Sequence, residues 1–413
     1  DQEKEKIQMT HTNTNPMRRA ARRLAALAMP MFTLAGTLVA APLLEKTELF
    51  TERSDGFALY RIPGIVVTAK GTVLAYCEAR KLREADRGEI EIHLRRSTDG
   101  GRTFSPARQV AHLGPRLPRN PHMPPSKQNK DMGGPEEQTV NNPVAIAARD
   151  GTVHLIYCVE YMRAFHLRSE DDGFTWTSPK EITHAFEPFR QQLNWQVIAT
   201  GPGHAAETAK GRLCVPFWMA TYALKVKPSL ASGTVYSDDG GSTWKAGAIA
   251  LTGASEPNLA PLPDGSVILT GRNSNEERRR MVTRSPDGIG GWSAPAFAPE
   301  LLEPGCMAGI VTHPGDAGRG LLLFSHPDTT NRSHAARRNV TIRLSEDGGR
   351  TWPVSKRLQD GPSAYSDLAV LPDGTVLCFY ENGTDKPKVE RNRDWAYANL
   401  TLARFNLEWL RNR

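Results

Sequence analysis

After residue 41 the sequence lacks any apolar run long enough to cross a bilayer, and it has no basic tract interleaved with aromatic residues. The first absence argues against a membrane-embedded protein, and the second argues against a nucleic-acid-binding one. Cysteine is also scarce: the 413 residues include five, an odd number that cannot all form disulfides. Four of them fall in or at the end of second strands of different predicted repeats, too far apart to bridge, so we expect small buried side chains there (Cys77, Cys158, Cys214 and Cys378).

The N-terminal segment differs in composition from the rest of the chain. Residues 1–16 are polar without periodicity, and from Met17 the basic stretch MRRAARR precedes an apolar run that ends at two alanines. This order is typical of a secretory signal peptide, so we predict an exported, periplasmic or secreted protein with residues 1–41 outside a single domain of residues 42–413. Pro42 leaves the cleavage position open. An uncleaved membrane anchor is the alternative, but a proline and a glycine interrupt the run.

The net charge is mildly positive. The chain has 52 Lys and Arg against 45 Asp and Glu, which gives +7. Residues 1–41 contain six Lys and Arg and three Asp and Glu and so contribute +3, which leaves +4 for residues 42–413. An excess of this size suits an anionic substrate if arginines gather at one place.

A turn glycine followed by an apolar, β-rich run recurs along the chain. Each copy follows a shorter apolar strand, so each unit is a predicted hairpin (Gly71, Gly151, Gly211, Gly265, Gly320 and Gly374). The weakest first strand is HAAETA, at residues 204–209. Six strand-only units predict an all-β fold, a six-bladed β-propeller with four strands in each blade. A β-sandwich is the alternative, but that fold has no reason to repeat one motif six times.

The third strands of the first five units run into a second motif, Ser-x-Asp-x-Gly-x-Thr-Trp. Four clear copies and one degenerate copy occur (97–104, 169–176, 237–244, 345–352 and, degenerate, 285–292). In this "Asp box" the aspartate accepts turn N–H groups, the glycine permits a positive φ, and the aromatic side chain packs at the edge of the blade. The motif is therefore predicted to be structural and to indicate the fold rather than the activity.

Polar residues recur at two positions of the repeats. The second strands end on Glu78, Arg272 and Glu381. The first strands begin with a further set (Arg61, Asn142, Glu256 and Tyr365). Because the inner strands of a propeller line its channel, these side chains should meet at one mouth. A ring of structural salt bridges is the alternative, but it explains poorly why arginine, glutamate and tyrosine collect at one end.

In this order and together with Asp boxes, these motifs resemble the exo-sialidase (neuraminidase) family over Tyr60 to Asn382. Six segments carry the resemblance: YRIP (60–63), GPGH (201–204), EP with GRN (256–257, 271–273), RRNVTIRLSEDGG (337–349), AYSDL (364–368) and FYENG (379–383). The family implies a propeller that hydrolyses terminal α-linked sialic acids with retention of configuration. It also implies that sialylated glycoproteins, glycolipids and oligosaccharides are the partners.

The resemblance assigns roles to individual residues. It implies Tyr365 as the nucleophile, Glu256 as its base and Asp86 as the acid/base. It implies substrate binding by three arginines with two supporting residues (Arg61, Arg272, Arg337, with Arg80 and Glu381). Arg338 and Arg332 stay open as alternatives to Arg337, because that register rests on the spacing to the last Asp box. At the end of its second strand, blade 1 has Glu78-Ala79-Arg80 where many bacterial members have Asp-x-Arg. The acid/base aspartate of the family lies in the loop that follows, and Asp86 is the aspartate that this loop offers.

The residue types suit this chemistry on their own. A sialic acid carries a carboxylate on its anomeric carbon, and arginines bind carboxylates bidentately and stay charged. That carboxylate would repel an Asp or Glu nucleophile, whereas a neutral tyrosine activated by a glutamate avoids the repulsion. Sialidases with a tyrosine nucleophile are a known exception to the two-carboxylate scheme of glycosidases.

Other functions and properties are also predicted. A trans-sialidase and an inactive glycan-binding propeller stay open as alternatives. We expect no metal or cofactor, no nucleic acid, no membrane span after signal removal, and a monomer. An insert at residues 115–138, rich in Pro, Lys and Met, has no counterpart in the family and is expected to shape the aglycone side.

Overall fold

The computed structural model describes most of the chain after residue 40, in seven stretches (41–81, 85–122, 136–222, 229–315, 320–331, 337–384 and 395–412). Within these stretches the strands form six sheets arranged as propeller blades, so the predicted fold class is confirmed. The predicted signal peptide lies outside the described residues and stays a prediction. None of the helices in the described stretches is long and apolar enough to span a membrane.

The chain enters through β1 (Leu44–Thr51) and then builds the first two blades from the channel outward. Blade 1 contains β2 (Leu59–Val67), β3 (Val73–Arg80), β4 (Ile90–Ser97) and β5 (Arg108–Gln109). Blade 2 contains β6 (Val140–Ala147), β7 (Val153–Val159), β8 (Arg163–Ser169) and β9 (Lys180–Glu181). A short 3-10 helix, Thr183–Gln191, follows and buries Phe186 and Phe189 in the core between blades 2 and 3.

Blade 3 departs from the prediction, because its inner strand is broken. The inner segments are β10 (Val197–Thr200), β11 (Gly203–His204) and β12 (Ala206–Glu207), and the outer strands are β13 (Leu213–Ala220), β14 (Leu230–Ser237) and β15 (Lys245–Thr252). Strands β10 and β12 pair with β13, whereas β11 pairs in parallel with β6 of blade 2. The weak HAAETA segment is thus shared between two sheets, and two of the six sheets have five strands rather than four.

The last three blades complete the ring. Blade 4 contains β16 (Ala254–Pro261), β17 (Val267–Asn273), β18 (Arg279–Ser285) and β19 (Ala296–Leu302). Blade 5 contains β20 (Gly309–His313), β21 (Leu321–Pro327), β22 (Val340–Ser345) and β23 (Val354–Arg357). Blade 6 contains β24 (Ser363–Val370), β25 (Val376–Thr384), β26 (Trp395–Phe405) and, outermost, β1. The short helix α1 (Leu407–Arg411) follows β26.

Hydrophobic packing holds neighbouring blades together. Six apolar clusters each lie between two adjacent blades, and the cluster that joins β1 and blade 6 to blade 1 closes the ring. All five cysteines are free and buried, as expected of small apolar side chains. The ring brings the same end of every inner strand to one mouth of the channel.

The repeated turns have the local chemistry that the sequence predicts. All six turn glycines have positive φ, for example 82° at Gly71 and 83° at Gly374. In the first Asp box, Asp99 accepts hydrogen bonds from the Thr103 N–H (3.0 Å) and hydroxyl (2.6 Å), and Ser97 Oγ accepts one from Gly101 N (2.9 Å). The bonds of Thr103 lower the pKa of Asp99. These aspartates are therefore occupied by their own turns.

Candidate active site

Four inner strands are irregular at the mouth of the channel. The pairing register shifts at this end of β2, β6, β16 and β24. Three residues at these shifts have positive φ: Ile62 (62°), Asn142 (52°) and Glu256 (39°). Residues other than glycine seldom adopt such φ values, asparagine being the most tolerant of these three, and bulges of this kind commonly re-aim side chains at functional sites. The start of the first strand, where polar residues recur in the sequence, thus coincides with a backbone irregularity at the mouth.

Tyr365, Glu256 and Arg272 form a hydrogen-bonded triangle across the channel. The Tyr365 hydroxyl donates to Glu256 Oε1 at 2.5 Å. Arg272 Nη1 donates to Glu256 Oε2 at 2.7 Å and to the Tyr365 hydroxyl at 2.9 Å. The three residues come from β24, β16 and β17, so blades 4 and 6 meet here.

Burial and charge give the members of this triangle different protonation states. Burial and the charge of Glu256 raise the pKa of Tyr365 well above its usual value, so the phenol keeps its proton. Burial also raises the pKa of Glu256, but the charge of Arg272 and the hydrogen bonds outweigh it, and the net pKa is lowered. The pair is therefore a neutral phenol that donates a hydrogen bond to an ionised carboxylate.

Arg61, which also lies beside the Tyr365 ring, is held by Glu381. Arg61 Nε lies 2.6 Å from Glu381 Oε1, and the carboxylate is completely buried. The same carboxylate accepts hydrogen bonds from the backbone N–H groups of Ile62 and Tyr365, each at 3.1 Å. Although burial opposes its charge, Glu381 raises the pKa of Arg61. Glu381 therefore fixes both the guanidinium and the backbone around it.

Arg337 reaches the same pocket, but within the described residues it has no carboxylate partner. Its Nη2 donates to Gly305 O at 2.5 Å, and its Nη1 donates to the Tyr397 hydroxyl at 3.3 Å. Its Cζ lies 5.2 Å from the centroid of the Tyr365 ring, as does the Cζ of Arg61. Of the two alternatives, Arg338 is half-buried with other partners, and Arg332 lies outside the described residues.

A second acidic group lies at the rim on blade 1. Glu78 is fully buried, pairs with Arg80 Nη2 at 2.8 Å and accepts a hydrogen bond from Asn142 N at 2.9 Å. Arg80 Nη1 also binds Asp86 Oδ1 at 2.9 Å, and the Asp86 side chain is 62% exposed. Arg80 thus lies beneath Asp86 and orients a carboxylate that opens to solvent.

A layer of hydrogen-bonded polar groups lies on the inner strands beside the site. Asp367 accepts hydrogen bonds from His204 Nδ1 (2.7 Å) and from Ile65 N (3.0 Å). The Tyr76 hydroxyl donates to Gly203 O (2.7 Å) and accepts from Ala145 N (2.9 Å). The AYSDL and GPGH segments of the sequence meet in this layer, and His204 also lines a cavity together with apolar residues of the inner strands such as Ile65 and Leu368.

Both ends of the 115–138 insert are described. Asn120 Nδ2 donates to Gln196 O at 2.8 Å, and Gln138 Nε2 donates to Leu117 O at 3.1 Å. The insert is thus anchored beside blade 3, and its central residues lie outside the described stretches. Its expected role on the aglycone side stays a prediction.

The sequence did not indicate Tyr397, although it contacts two of the three pocket arginines. The Arg61 Cζ lies 4.0 Å from the centroid of the Tyr397 ring, and the Tyr397 hydroxyl accepts the bond from Arg337. The alternating pattern of residues 395–405 indicates a strand, but it does not show which end reaches the mouth. By contrast, the eight residues to which the resemblance assigns roles lie at the mouth or on its rim (Arg61, Arg80, Asp86, Glu256, Arg272, Arg337, Tyr365 and Glu381).

Comparisons with known proteins agree with this arrangement. Residues 125–378 match the family described as BNR repeat-like domain. The chain is 31% identical to a sialidase of Micromonospora viridifaciens, over 96% of this chain and 60% of that protein. It is 29% identical to a sialidase of Bacteroides fragilis (strain YCH46), over 79% of this chain and 61% of that protein. The chain therefore spans about three fifths of the length of these two relatives.

Solved structures give the same result. Hadza microbial sialidase Hz136 superimposes on the chain with a TM-score of 0.70 at 27% sequence identity. The superposition covers 86% of this chain and 67% of that one. An intramolecular trans-sialidase from Ruminococcus gnavus superimposes with a TM-score of 0.69 at 18% identity, a likeness that concerns the fold alone.

Proposed function

The chain belongs to the sialidase family of Asp-box β-propellers, and from this membership and the site geometry we propose that it is an exo-sialidase. Its substrates are terminal α-linked sialic acids on glycoproteins, glycolipids and oligosaccharides. The observation that carries the proposal is the hydrogen bond between the Tyr365 hydroxyl and Glu256, with three arginine side chains around it.

Arg61, Arg272 and Arg337 bind the substrate's carboxylate. Guanidinium groups suit this task because they stay charged and donate two parallel hydrogen bonds to a carboxylate. Arg61 and Arg272 are each partly neutralised by a glutamate, whereas Arg337 keeps its full charge. The site therefore has a net attraction for one added anion.

In the first chemical step Tyr365 Oη attacks the anomeric carbon of the sialic acid. Its proton passes to Glu256, which already accepts its hydrogen bond at 2.5 Å. The bond from the anomeric carbon to the aglycone oxygen breaks, and Asp86 gives that oxygen a proton. The product is a tyrosyl-enzyme intermediate, and the free aglycone leaves.

The second step reverses these roles. Asp86 takes a proton from a water molecule, whose oxygen attacks the anomeric carbon. The bond to Tyr365 breaks, and Glu256 returns the proton to the phenol oxygen. Two successive inversions retain the configuration of the sugar. The exposure of Asp86 supports this role, because the aglycone and the attacking water both reach the site from solvent.

A fluorogenic aryl sialoside tests the proposal. We expect release of the aryl group and of the α-anomer of sialic acid, as monitored by NMR immediately after mixing, and no reaction with the matched aryl β-galactoside. A fluorinated sialosyl donor should also leave a covalent adduct on the peptide that contains Tyr365. If the protein binds an unsaturated sialic-acid analogue but hydrolyses no sialoside, it is a glycan-binding propeller and the proposal is wrong.

We further propose that the protein is exported through its N-terminal segment and acts as a monomer. Export rests on the order of basic and apolar residues within 17–41. Expression of the full chain, followed by N-terminal sequencing and light scattering of the exported product, tests both. An intact N-terminus on a membrane-bound product contradicts cleavage, and a dimeric mass contradicts the monomer.

A further inference from the structure

The three arginines of the pocket differ in how they are held. Glu381 fixes Arg61 and Glu256 fixes Arg272, both through charge-assisted contacts of 2.6–2.7 Å. Arg337 instead relies on a carbonyl oxygen, Gly305 O, and on a phenol. Its buried Nε has no hydrogen-bond partner among the described residues. The orientation of Arg337 therefore depends on the loop that carries Gly305.

That loop, residues 303–308, joins blade 4 to blade 5 and is organised by one buried carboxylate. Glu303 is fully buried, and its Oε1 accepts hydrogen bonds from Gly305 N (2.7 Å) and Cys306 N (3.1 Å). Gly305 has a φ of 74°, which a residue with a side chain rarely adopts. The carboxylate thus curls the loop so that the Gly305 carbonyl points at Arg337.

Arg280 of β18 completes the arrangement. Its Nη1 lies 2.8 Å from Glu303 Oε2 and donates to Cys306 O at 3.0 Å, and its Nη2 lies 3.5 Å from Glu256 O. Both side chains of the ion pair are only 1% exposed. One guanidinium therefore connects the loop to the backbone of the residue that binds the Tyr365 hydroxyl.

We propose that the buried Arg280–Glu303 pair positions Arg337 through the Gly305 carbonyl, and so sets the affinity of the pocket for the substrate's carboxylate. A buried ion pair commonly adds little stability over an apolar pair of similar size, because desolvation opposes the attraction. Its effect here is on geometry: it fixes the one pocket arginine that has no acidic partner within the described residues. The inference rests on the proposed function of the pocket.

The test removes both charges together, so that neither is left buried and unpaired. In the variant Arg280→Met with Glu303→Leu we expect the protein to fold with a lower melting temperature, because the Gly305 and Cys306 N–H groups and the Cys306 carbonyl lose their partners. The Kd for an unsaturated sialic-acid analogue and the KM for an aryl sialoside should rise at least tenfold. We expect kcat to change less than threefold, because the lost contact with the carboxylate acts equally in the ground and transition states.

A double-mutant cycle separates positioning from general packing. In an Arg337→Ala background the same two substitutions should change Kd less than threefold, because their target is gone. The control is Arg404→Met with Glu45→Leu, which removes another ion pair on a buried arginine at the far end of β26. We expect that control to leave Kd unchanged.

The possible outcomes support or overturn the inference separately from the proposed function. A Kd within threefold of wild type, or an equal loss with and without Arg337, overturns the inference even if wild type is an active sialidase. Should wild type bind the analogue but not hydrolyse sialosides, the proposed function fails and the Kd cycle still decides the inference. A wild type that does not bind overturns both.

If the double substitution does not fold, Glu303→Asp provides a second test, because it withdraws the carboxylate by one methylene. This variant should also raise Kd, and an unchanged Kd overturns the inference.

Discussion

The substitution Tyr365→Phe removes one oxygen from the centre of the site and keeps the aromatic ring. The ring belongs to a buried cluster with Cys306, Met307 and Tyr397, and this packing should persist. The hydroxyl makes two hydrogen bonds, to Glu256 at 2.5 Å and to Arg272 at 2.9 Å. The change therefore tests the hydroxyl alone.

The expected cost in stability is small. A hydrogen bond to a charged group contributes about 1.5–3 kcal/mol. Here Glu256 and Arg272 still pair with each other at 2.7 Å, so neither charge is left alone, and the loss should be about 1–2 kcal/mol. If Tyr365 is the nucleophile, kcat should fall at least about a thousandfold, which corresponds to about 4 kcal/mol. The two magnitudes are far enough apart to decide the role.

The assay combines kcat on an aryl sialoside, the Kd for an unsaturated analogue, and thermal denaturation. Tyr76→Phe is a matched control, because the Tyr76 hydroxyl also makes two hydrogen bonds and lies beside the site. The control leaves a buried N–H and a buried carbonyl without a partner. We therefore expect Tyr76→Phe to lose more stability than Tyr365→Phe and to lose less kcat. A Tyr365→Phe enzyme within tenfold of wild-type kcat, or a covalent adduct on another residue, would refute the assignment.

Three further predictions follow from the same geometry. Asp86→Asn should cripple hydrolysis of natural sialyl-galactosides but spare substrates with an acidic phenol, because a general acid matters most for poor leaving groups; equal losses would indicate a structural role. Arg337→Ala should weaken binding of the unsaturated analogue by about 2–5 kcal/mol, as measured by calorimetry. Arg338→Ala should bind normally, and the reverse pattern would show that the wrong arginine has been assigned. The buried pair His154 and His166 has pKa values lowered to about 4 and about 3, mainly by burial. As the pH falls, the unfolded chain takes up these protons before the folded protein does. The free energy of unfolding should therefore be highest above about pH 6.5 and should fall towards pH 4, by about 3 kcal/mol for His154 alone. Chemical denaturation of His166→Gln should show a flatter dependence on pH, and an unchanged slope would contradict this account.

The features that could be predicted from sequence are those produced by local chemistry. A turn with a glycine at positive φ, or an aspartate that binds its own turn, needs only a few consecutive residues, and these signals repeat often enough to count blades. The alignment of the repeats also selected Arg61, Glu256 and Tyr365 for the mouth, because equivalent positions of equivalent strands lie at one end of a ring.

The features that could not be predicted depend on partners distant in sequence. Strand β1 completes blade 6 by pairing with β26, for example Leu44 opposite Phe405, and no motif in β1 indicates this. The broken inner strand of blade 3 pairs with two different sheets, and packing between the blades determines this pairing. The role of Tyr397 depends on Arg61 of another blade, and that of Glu303 depends on Arg280, which lies 23 residues earlier in the chain. Neither residue lies in a repeated pattern.

The recurring polar positions of the first and second strands meet in contacts between neighbouring blades. Glu78, at the end of the second strand of blade 1, accepts the hydrogen bond of Asn142 N in blade 2. Glu381, at the same position of blade 6, accepts that of Ile62 N in blade 1. In both cases the N–H belongs to a residue with positive φ, a conformation that costs of order 1–3 kcal/mol and persists only when its surroundings hold it.

Each of these glutamates also binds an arginine beside the pocket, Arg80 or Arg61. A structural salt bridge and an arginine proposed to bind substrate are therefore not alternatives here, because one carboxylate holds the irregular strand and orients the guanidinium. A substitution of Glu381 would release both at once. This coupling explains why a fold that needs only apolar packing between its blades places buried charges at one end of its channel.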